Sequence, residues 1–240
     1  MSAESWLTSA LTHCGAVRTM NEDSLVSRTE DRFWAVADGM GGHDAGEIAS
    51  EMITSALKNM DAKLELPDLV DSIEDTLLEV HHNIRLYSRN HCDGRTMGST
   101  VVAMLARDNV GICLWAGDSR LYRYRGGMLE QISEDHSQVN EMLSRGLITA
   151  EEAVNHPSSN VITRAVGATD ILYVDITVFE MKPKDIYLLC SDGLYGALSD
   201  EEMLSRFRLS SVENYANDFV EDALKNEARD NVTVIAVQAQ

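Results

Sequence analysis

Val36-Ala37-Asp38-Gly39-Met40-Gly41-Gly42-His43 is the stretch that decides the fold. An apolar run over residues 33–37 leads directly into Asp38 and a glycine-rich turn. A carboxylate at the end of a buried strand is costly unless a positive group meets it. The glycines that follow allow the backbone to come close to such a group. The stretch therefore predicts a strand that delivers an acid to a binding site.

The same arrangement of strand and acid recurs along the chain. Apolar runs lead into Asp118 and into Asp192, and Asp230 stands just before the apolar run at residues 232–237. Hard divalent cations prefer carboxylate oxygens as ligands. Acids at several strand ends therefore indicate one cation site built on a sheet scaffold.

The composition is that of a globular protein with an acidic surface. The 240 residues are 44% hydrophobic and carry a formal net charge of -19. This charge argues against nucleic-acid binding, which needs a basic face, and against docking on an anionic membrane. The N-terminal sequence does not resemble a signal peptide, and the cysteines form no Cys-x-x-Cys pair. We expect a cytoplasmic protein in a reducing compartment.

The order of the hydrophobic patterns predicts an α+β protein. Strands are expected at residues 6–13, 24–28, 32–37, 174–179, 186–190 and 232–238, and helices at residues 47–60, from Pro67 onwards, and at 210–226. Four further strands at residues 99–106, 110–116, 119–125 and 128–132 have short connections, which predicts an antiparallel meander. Two packed antiparallel sheets with helix pairs on their outer faces bury every apolar stripe.

Residues 133–167 differ from their surroundings. They contain two short helical patterns, the second capped by Thr149 with Glu152 three residues later. We interpret this segment as an excursion from the sheet scaffold, and we expect residues 1–240 to form a single domain around it.

Seven motifs occur in order along nearly the whole chain. They are Gly15-x-x-Arg18-x-x-Asn21-Glu22-Asp23, Asp38-Gly39-Met40-Gly41-Gly42, Gly98-Ser99-Thr100, Ala116-Gly117-Asp118-Ser119-Arg120, Asp135-His136-Ser137, Ser191-Asp192-Gly193 and Asp230-Asn231-Val232-Thr233. One Asp-Gly pair is common turn chemistry and carries little weight. The ordered set resembles the metal-dependent serine/threonine phosphatases of the PPM (protein phosphatase 2C-like) family in its compact bacterial form.

The resemblance implies an α-β-β-α sandwich with a centre for two Mg²⁺ or Mn²⁺ ions in a cleft at one edge of the sheets. Asp38 would bridge the two ions. The backbone carbonyl of Gly39 would bind the first ion, and Glu22 would approach it through water. Asp192 and Asp230 would complete the second ion's ligands.

The resemblance also implies three further features of the site. Asp118, together with Asp192, would hold a weaker third ion. Arg18 would hold the phosphate of the substrate, for which its planar fork of donors is suited. Residues 133–167 would form the small flap beside the active site, which we expect to gate access.

The function implied is hydrolysis of phosphoserine and phosphothreonine in proteins by a metal-activated water. The expected partners are phosphorylated proteins, with a bacterial serine/threonine kinase as the opposing enzyme, and the expected state is a monomer. One departure concerns Met40, which stands where many eukaryotic members carry a histidine that is thought to act as general acid. The sequence therefore does not identify the residue that acts as general acid.

Other interpretations remain open from the residues alone. A non-catalytic phosphoprotein-binding module on the same fold is the main alternative, and a two-metal nuclease or phosphodiesterase and a phosphatase of a sigma-factor regulator are others. Asp118 also suits a plain hairpin turn, and Arg18 and Glu22 also suit a surface ion pair. Asn231 is expected to orient the Asp230 loop, and Asp23 to be structural.

Overall fold

A computed structural model describes residues 5–42, 44–92, 95–154, 156–158 and 161–239. Two antiparallel sheets face each other across a shared apolar layer. Sheet I contains, in spatial order, β1 (Trp6–His13), β11 (Val232–Ala239), β10 (Ile186–Cys190), β7 (Arg120–Arg125) and β8 (Met128–Gln131). Sheet II contains β2 (Asp23–Arg28), β3 (Phe33–Met40), β5 (Val101–Arg107), β6 (Val110–Ala116) and β9 (Asp175–Glu180), and the short β4 (Gly98–Ser99) also pairs with β3.

Helices cover the outer face of each sheet. Sheet II packs against α1 (Ala45–Lys58) and α2 (Leu66–His91), whose apolar stripes join one buried cluster with the strands. Sheet I packs against α5 (Asp192–Tyr195), α6 (Asp200–Leu209) and α7 (Val212–Lys225) in a second cluster. A third cluster, which includes the fully buried Trp34 and Tyr187, lies between the sheets. The predicted α+β sandwich with flanking helices is confirmed.

The segment between β8 and β9 leaves the sheets, as predicted. It contains α3 (Gln138–Ser144) and α4 (Ala150–Val154). The expected capping box is present, because Thr149 and Glu152 each accept a hydrogen bond from the other's backbone N–H. Near its two ends the segment is tied to the sandwich: His136 N–H donates to the carbonyl of Gly117, and Val166 pairs with Ser99. In the described ranges no helix is both long and apolar enough to cross a membrane.

The predicted four-stranded meander is wrong. β5 and β6 pair in sheet II, whereas β7 and β8 pair in sheet I. The chain crosses from one sheet to the other at residues 117–119, where a hairpin was expected. Gly117 makes this crossing with φ +122°, and a Cβ atom there would lie 2.5 Å from Cβ of Thr100. The connection is as short as a hairpin loop, but it carries the chain from sheet II to sheet I.

Two helices of the sheet I layer were not predicted. α5 begins at Asp192, and α6 begins after the Ser199 cap. Only Met203 and Phe207 of α6 are buried, so its apolar stripe is too short to stand out from the polar sequence around it.

Gly117→Ala is expected to destabilise the fold strongly. A strained backbone costs about 1–3 kcal/mol, and overlap with Thr100 adds about 1–3 kcal/mol. Urea unfolding in EDTA measures the difference in the free energy of unfolding. Gly126→Ala is the control, because Gly126 has φ +59° and open space around it, so its cost is only about 1–2 kcal/mol. Equal losses for both variants would contradict the tight crossing.

Candidate metal centre

The structure brings the predicted acids together at one edge of the sandwich. Asp38 lies near the end of β3, and Asp118 follows β6. Asp192 is the first residue of α5, two residues after the end of β10. Asp230 stands two residues before β11, and Glu22 stands one residue before β2. The charges of Asp118, Asp192 and Asp230 raise the pKa of Asp38, so these three acids lie close enough to interact with it. Ligand candidates from both sheets therefore share one site.

Asp38 is at the centre of this group. Burial raises the pKa of Asp38 well above its ordinary value, and the neighbouring carboxylates, Asp23 first, raise it further. Its backbone is fixed by Thr100, since Asp38 N–H donates to Thr100 Oγ1 at 3.2 Å and Thr100 N–H donates to the Asp38 carbonyl at 2.8 Å. Thr100 lies in the Gly98-Ser99-Thr100 motif, and its hydroxyl also bonds to Ser119 at 2.7 Å.

Asp23 lies beside Asp38 on the neighbouring strand, as its register partner in the β2–β3 pair. Asp23 Oδ2 accepts hydrogen bonds from Ser191 Oγ and Thr233 Oγ1, each at 2.7 Å. Ser191 precedes Asp192, and Thr233 follows Asp230 by three residues. The buried Asp23 carboxylate thus joins the chain segments that carry the other acids. The sequence suggested a structural role, and these contacts support one.

Asn231 holds the Glu22 segment against the Asp230 loop. Its side-chain amide donates to the carbonyls of Cys14 and Met20, and its oxygen accepts from Glu22 N–H at 2.8 Å. Gly39 N–H donates to the Glu22 carbonyl at 3.1 Å, which links Glu22 to the central loop. These bonds support the expected orienting role of Asn231.

Asp118 is buried beside a clamp of three side chains. Burial raises the pKa of Asp118 to about 6, and the nearby Asp135 adds to the rise. Tyr195 donates from its hydroxyl to the Asp118 carbonyl at 3.0 Å, and Arg120 stacks on the Tyr195 ring at 3.5 Å from its centroid. Arg120 also forms a two-pronged bond to Asp135.

Arg18 pairs with Asp230 rather than with Glu22. Arg18 Nη2 lies 2.6 Å from Asp230 Oδ2, and both side chains are about half exposed (52% and 40%). The charges of Glu22 and Asp192 also raise the pKa of Arg18, after the bond to Asp230. An ion pair with this exposure contributes little stability, so breaking the bond between Arg18 and Asp230 costs little free energy.

A groove of about 390 Å³ opens beside Asp118 and Asp192. Its opposite wall is formed by α3 and α4, with Val139 and Leu143 as apolar contacts. The groove therefore extends from the acids to the segment that leaves the sheets.

The donor set of the site fits a hard divalent cation. Buried oxygens of Glu22, Asp23 and Asp118 have no hydrogen-bond partner, and burial raises the pKa of Asp192 to about 7. In the described ranges no three His, Cys, Asp or Glu side chains are grouped tightly enough to hold an ion by themselves. Mg²⁺ usually takes one or two carboxylates and keeps several waters, so carbonyls and water have to complete the ligands.

Several residues that shape the site were not singled out from the sequence. Thr100, Ser191 and Thr233 were quoted within three of the seven motifs without a role of their own, and Tyr195 lies two residues after the Ser191-Asp192-Gly193 motif. Each of the four contacts an acid or its backbone. Their position beside the acids was a usable signal. Met40 is partly buried and has no proton to donate, and His43 lies outside the described residues.

Comparison with known proteins agrees with this geometry. The family model described as "Protein phosphatase 2C" matches residues 12–228. The serine/threonine phosphatase stp of Listeria monocytogenes serotype 4b (strain F2365) is 35% identical over 232 residues, which cover 93% of this chain and 92% of that protein.

Two solved structures are also similar. PppA, a key regulatory component of T6SS in Pseudomonas aeruginosa, has 38% identity and a TM-score of 0.91 over 100% of both chains. The catalytic domain of the phosphatase PstP in complex with two manganese ions has 34% identity and a TM-score of 0.86 over 97% of both chains. The chain belongs to the protein phosphatase 2C (PPM) family of metal-dependent serine/threonine protein phosphatases.

Proposed function

We propose that the acids at the sandwich edge hold two Mg²⁺ or Mn²⁺ ions, with Asp38 between them. In this proposal Gly39 and Glu22 serve the first ion, Glu22 through water, and Asp192 and Asp230 serve the second. The observation that carries it is the meeting of acids from five separate chain segments, Asp38, Asp118 and Asp192 largely buried and Glu22 and Asp230 partly exposed, at one edge of the sandwich. Like charges so close together repel, and cations are the groups that offset this repulsion.

We assign to Asp118 a weaker third ion, shared with Asp192. Support comes from its buried Oδ1 without a hydrogen-bond partner and from its charge acting on Asp192. Asp118 stands at the groove side of the acids, where α3 and α4 form the opposite wall.

Divalent ions supply Lewis acidity and an activated water for attack on a phosphate ester. Arg18 binds two oxygens of the substrate phosphate after leaving Asp230, and it offsets their charge in the transition state. Asp23 and Thr100 keep Asp38 in place, while Asn231 keeps Glu22 and Asp230 in register. The proton for the leaving group does not come from Met40.

The groove beside Asp118 is our candidate for the surface that receives the phosphoprotein. Its walls include flap residues between Asp135 and Ala153, together with Asp118 and Asp192. We propose that the flap gates access to the site while the chain acts as one phosphatase domain and as a monomer. Phosphoproteins are the substrates of this family, and the opposing enzyme is a bacterial serine/threonine kinase.

The cytoplasm is the proposed location of this reaction. All four cysteines are free thiols, and Cys113 and Cys190 are buried in strands. Proteins that keep several unpaired cysteines are typical of a reducing compartment.

Asp192→Asn is expected to abolish most of the metal-dependent activity. The measurement is phosphate release from a phosphothreonine peptide with Mn²⁺ and with EDTA. We expect a loss of at least about a hundredfold, since changes to residues that merely support a ligand already cost about 10–100-fold. Asp200→Asn is the control, because Asp200 is exposed at the start of α6. Wild-type turnover in EDTA, or full turnover of Asp192→Asn, would contradict the two-metal proposal.

Arg18→Lys is expected to raise KM for the phosphopeptide. Lysine keeps the charge but loses the planar fork, and one charge-assisted hydrogen bond contributes about 1.5–3 kcal/mol, which corresponds to about tenfold or more. Steady-state kinetics with saturating Mn²⁺ measure the change. Arg206→Lys, on α6 and bonded to Asp222, is the matched control. An unchanged KM for Arg18→Lys would exclude Arg18 as the phosphate-binding group.

The metal-free protein is expected to lose stability as pH rises from 5 to 8. The pKa values of Asp118 and Asp192 are raised to about 6 and about 7 in the folded state, against about 3.9 when unfolded. The folded state therefore binds more protons in this range, and its stability falls with pH. Differential scanning fluorimetry in EDTA measures the trend.

Mn²⁺ is expected to reverse this loss. At a hundredfold excess over its dissociation constant, a ligand adds about 2.7 kcal/mol, or about 5–10 °C in Tm for a chain of this size. The gain is expected to be larger at pH 8 than at pH 5.5, since protons compete for the carboxylates. A metal-free Tm that rises between pH 5 and 8 would contradict the raised pKa values.

A further inference from the structure

His136 is a buried residue near the start of the flap, and the function proposed above assigns it no role. It is 8% exposed and belongs to the Asp135-His136-Ser137 motif. Its backbone N–H donates to the carbonyl of Gly117 at 3.0 Å, and its ring Nδ1 accepts from the N–H of Gly117 at the same distance. One residue thus satisfies both backbone polar groups of Gly117, the residue that precedes Asp118.

The ring of His136 is held in one orientation. Because Nδ1 accepts a hydrogen bond, the ring proton is on Nε2, which donates to Asp175 Oδ2 at 3.1 Å. Asp175 is in turn paired with Arg164. The ring also stacks on Trp115, with 5.9 Å between centroids and 10° between planes. These contacts leave the ring no second position from which to hold Gly117.

Gly117 has little freedom on its other side. A Cβ atom at Gly117 would overlap Thr100, the residue whose hydroxyl accepts from Asp38 N–H and bonds to Ser119. The turn that carries Asp118 is therefore held between Thr100 and His136. Thr100 connects the turn to Asp38, and His136 connects it to the start of the flap.

We propose that His136 is a positioning residue that sets the Asp118 carboxylate for the weakest metal ion by holding the backbone of Gly117. This rests on the proposed role of Asp118 as a ligand. His136 touches neither the ion nor the substrate. Substitution of a residue that positions a metal ligand typically lowers the metal affinity about 10–100-fold.

A pair of substitutions separates this role from simple packing. In His136→Asn the amide oxygen takes the place of Nδ1 and still accepts from Gly117 N–H. In His136→Gln the amide reaches toward Asp175 on the Nε2 side and leaves Gly117 N–H without its acceptor. Both variants lose the ring, so the loss of stacking on Trp115 is common to them.

His81→Gln is the matched control. His81 is also buried, at 7% exposed, and its Nδ1 accepts from the N–H of another glycine, Gly167, at 2.9 Å. Gly167 does not adjoin any of the proposed ligands in the sequence. The control therefore measures how the loss of a buried histidine that accepts from a glycine N–H affects metal binding when that glycine does not adjoin a proposed ligand.

The experiment is Mn²⁺ titration by calorimetry, together with hydrogen exchange of the Gly117 amide in metal-free protein. We expect His136→Gln to weaken the weakest Mn²⁺ site at least about tenfold and to speed Gly117 exchange. His136→Asn and His81→Gln are expected to keep that site's affinity close to wild type. Wild-type affinity in His136→Gln, or equal weakening in all three variants, would overturn the inference.

Asp118→Asn separates failure of this inference from failure of the proposed function. If Asp118→Asn loses the weakest ion and His136→Gln does not weaken it, only the role of His136 is wrong. If Asp118→Asn binds as many ions as wild type, Asp118 is not a ligand, and the inference falls with the proposal on which it rests.

Discussion

The crowding of carboxylates at one edge of the sandwich is the constraint on which the rest of the structure depends. Burial and mutual repulsion both raise the pKa values of Asp38 and Asp192. Such a group persists only if its backbone is held firmly, because repulsion otherwise pushes the acids apart. The hydroxyl groups of Thr100, Ser191 and Thr233 are placed to do this. The hydrogen bonds that these hydroxyl groups make are therefore as necessary to the site as its charges.

This constraint also explains why the site lies across both sheets. Asp38 and Glu22 come from sheet II, Asp192 and Asp230 come from sheet I, and Asp118 stands where the chain crosses between them. Packing between the sheets, around residues such as Trp34 and Tyr187, sets the spacing of the two groups of acids. A core substitution between the sheets can thus change the distances between these acids without contacting any of them, since buried layers transmit small shifts.

The sequence points to the ligand candidates because each stands beside a strong strand pattern, and the structure places these acids at one edge of the sandwich. It also predicted α1, α2 and α7, but neither α5, which has only four residues, nor α6, whose buried stripe is limited to Met203 and Phe207. The meander failed because β6 is buried on both faces, so its pattern does not show which sheet the next strand joins. The bond of Arg18 to Asp230 and the hold of His136 on Gly117 join residues that are remote in sequence, and no local pattern records such contacts.

The position of β11 in sheet I has a consequence for biosynthesis. Residues 232–239 are made after the rest of the sandwich, yet they form the strand between β1 and β10. Until they leave the ribosome, β1 has no partner in sheet I, and the loop with Asp230 and Asn231 is not anchored. Contacts between distant chain segments also form slowly. The growing polypeptide therefore cannot complete sheet I, or anchor the loop with Asp230, until the residues of β11 have been made.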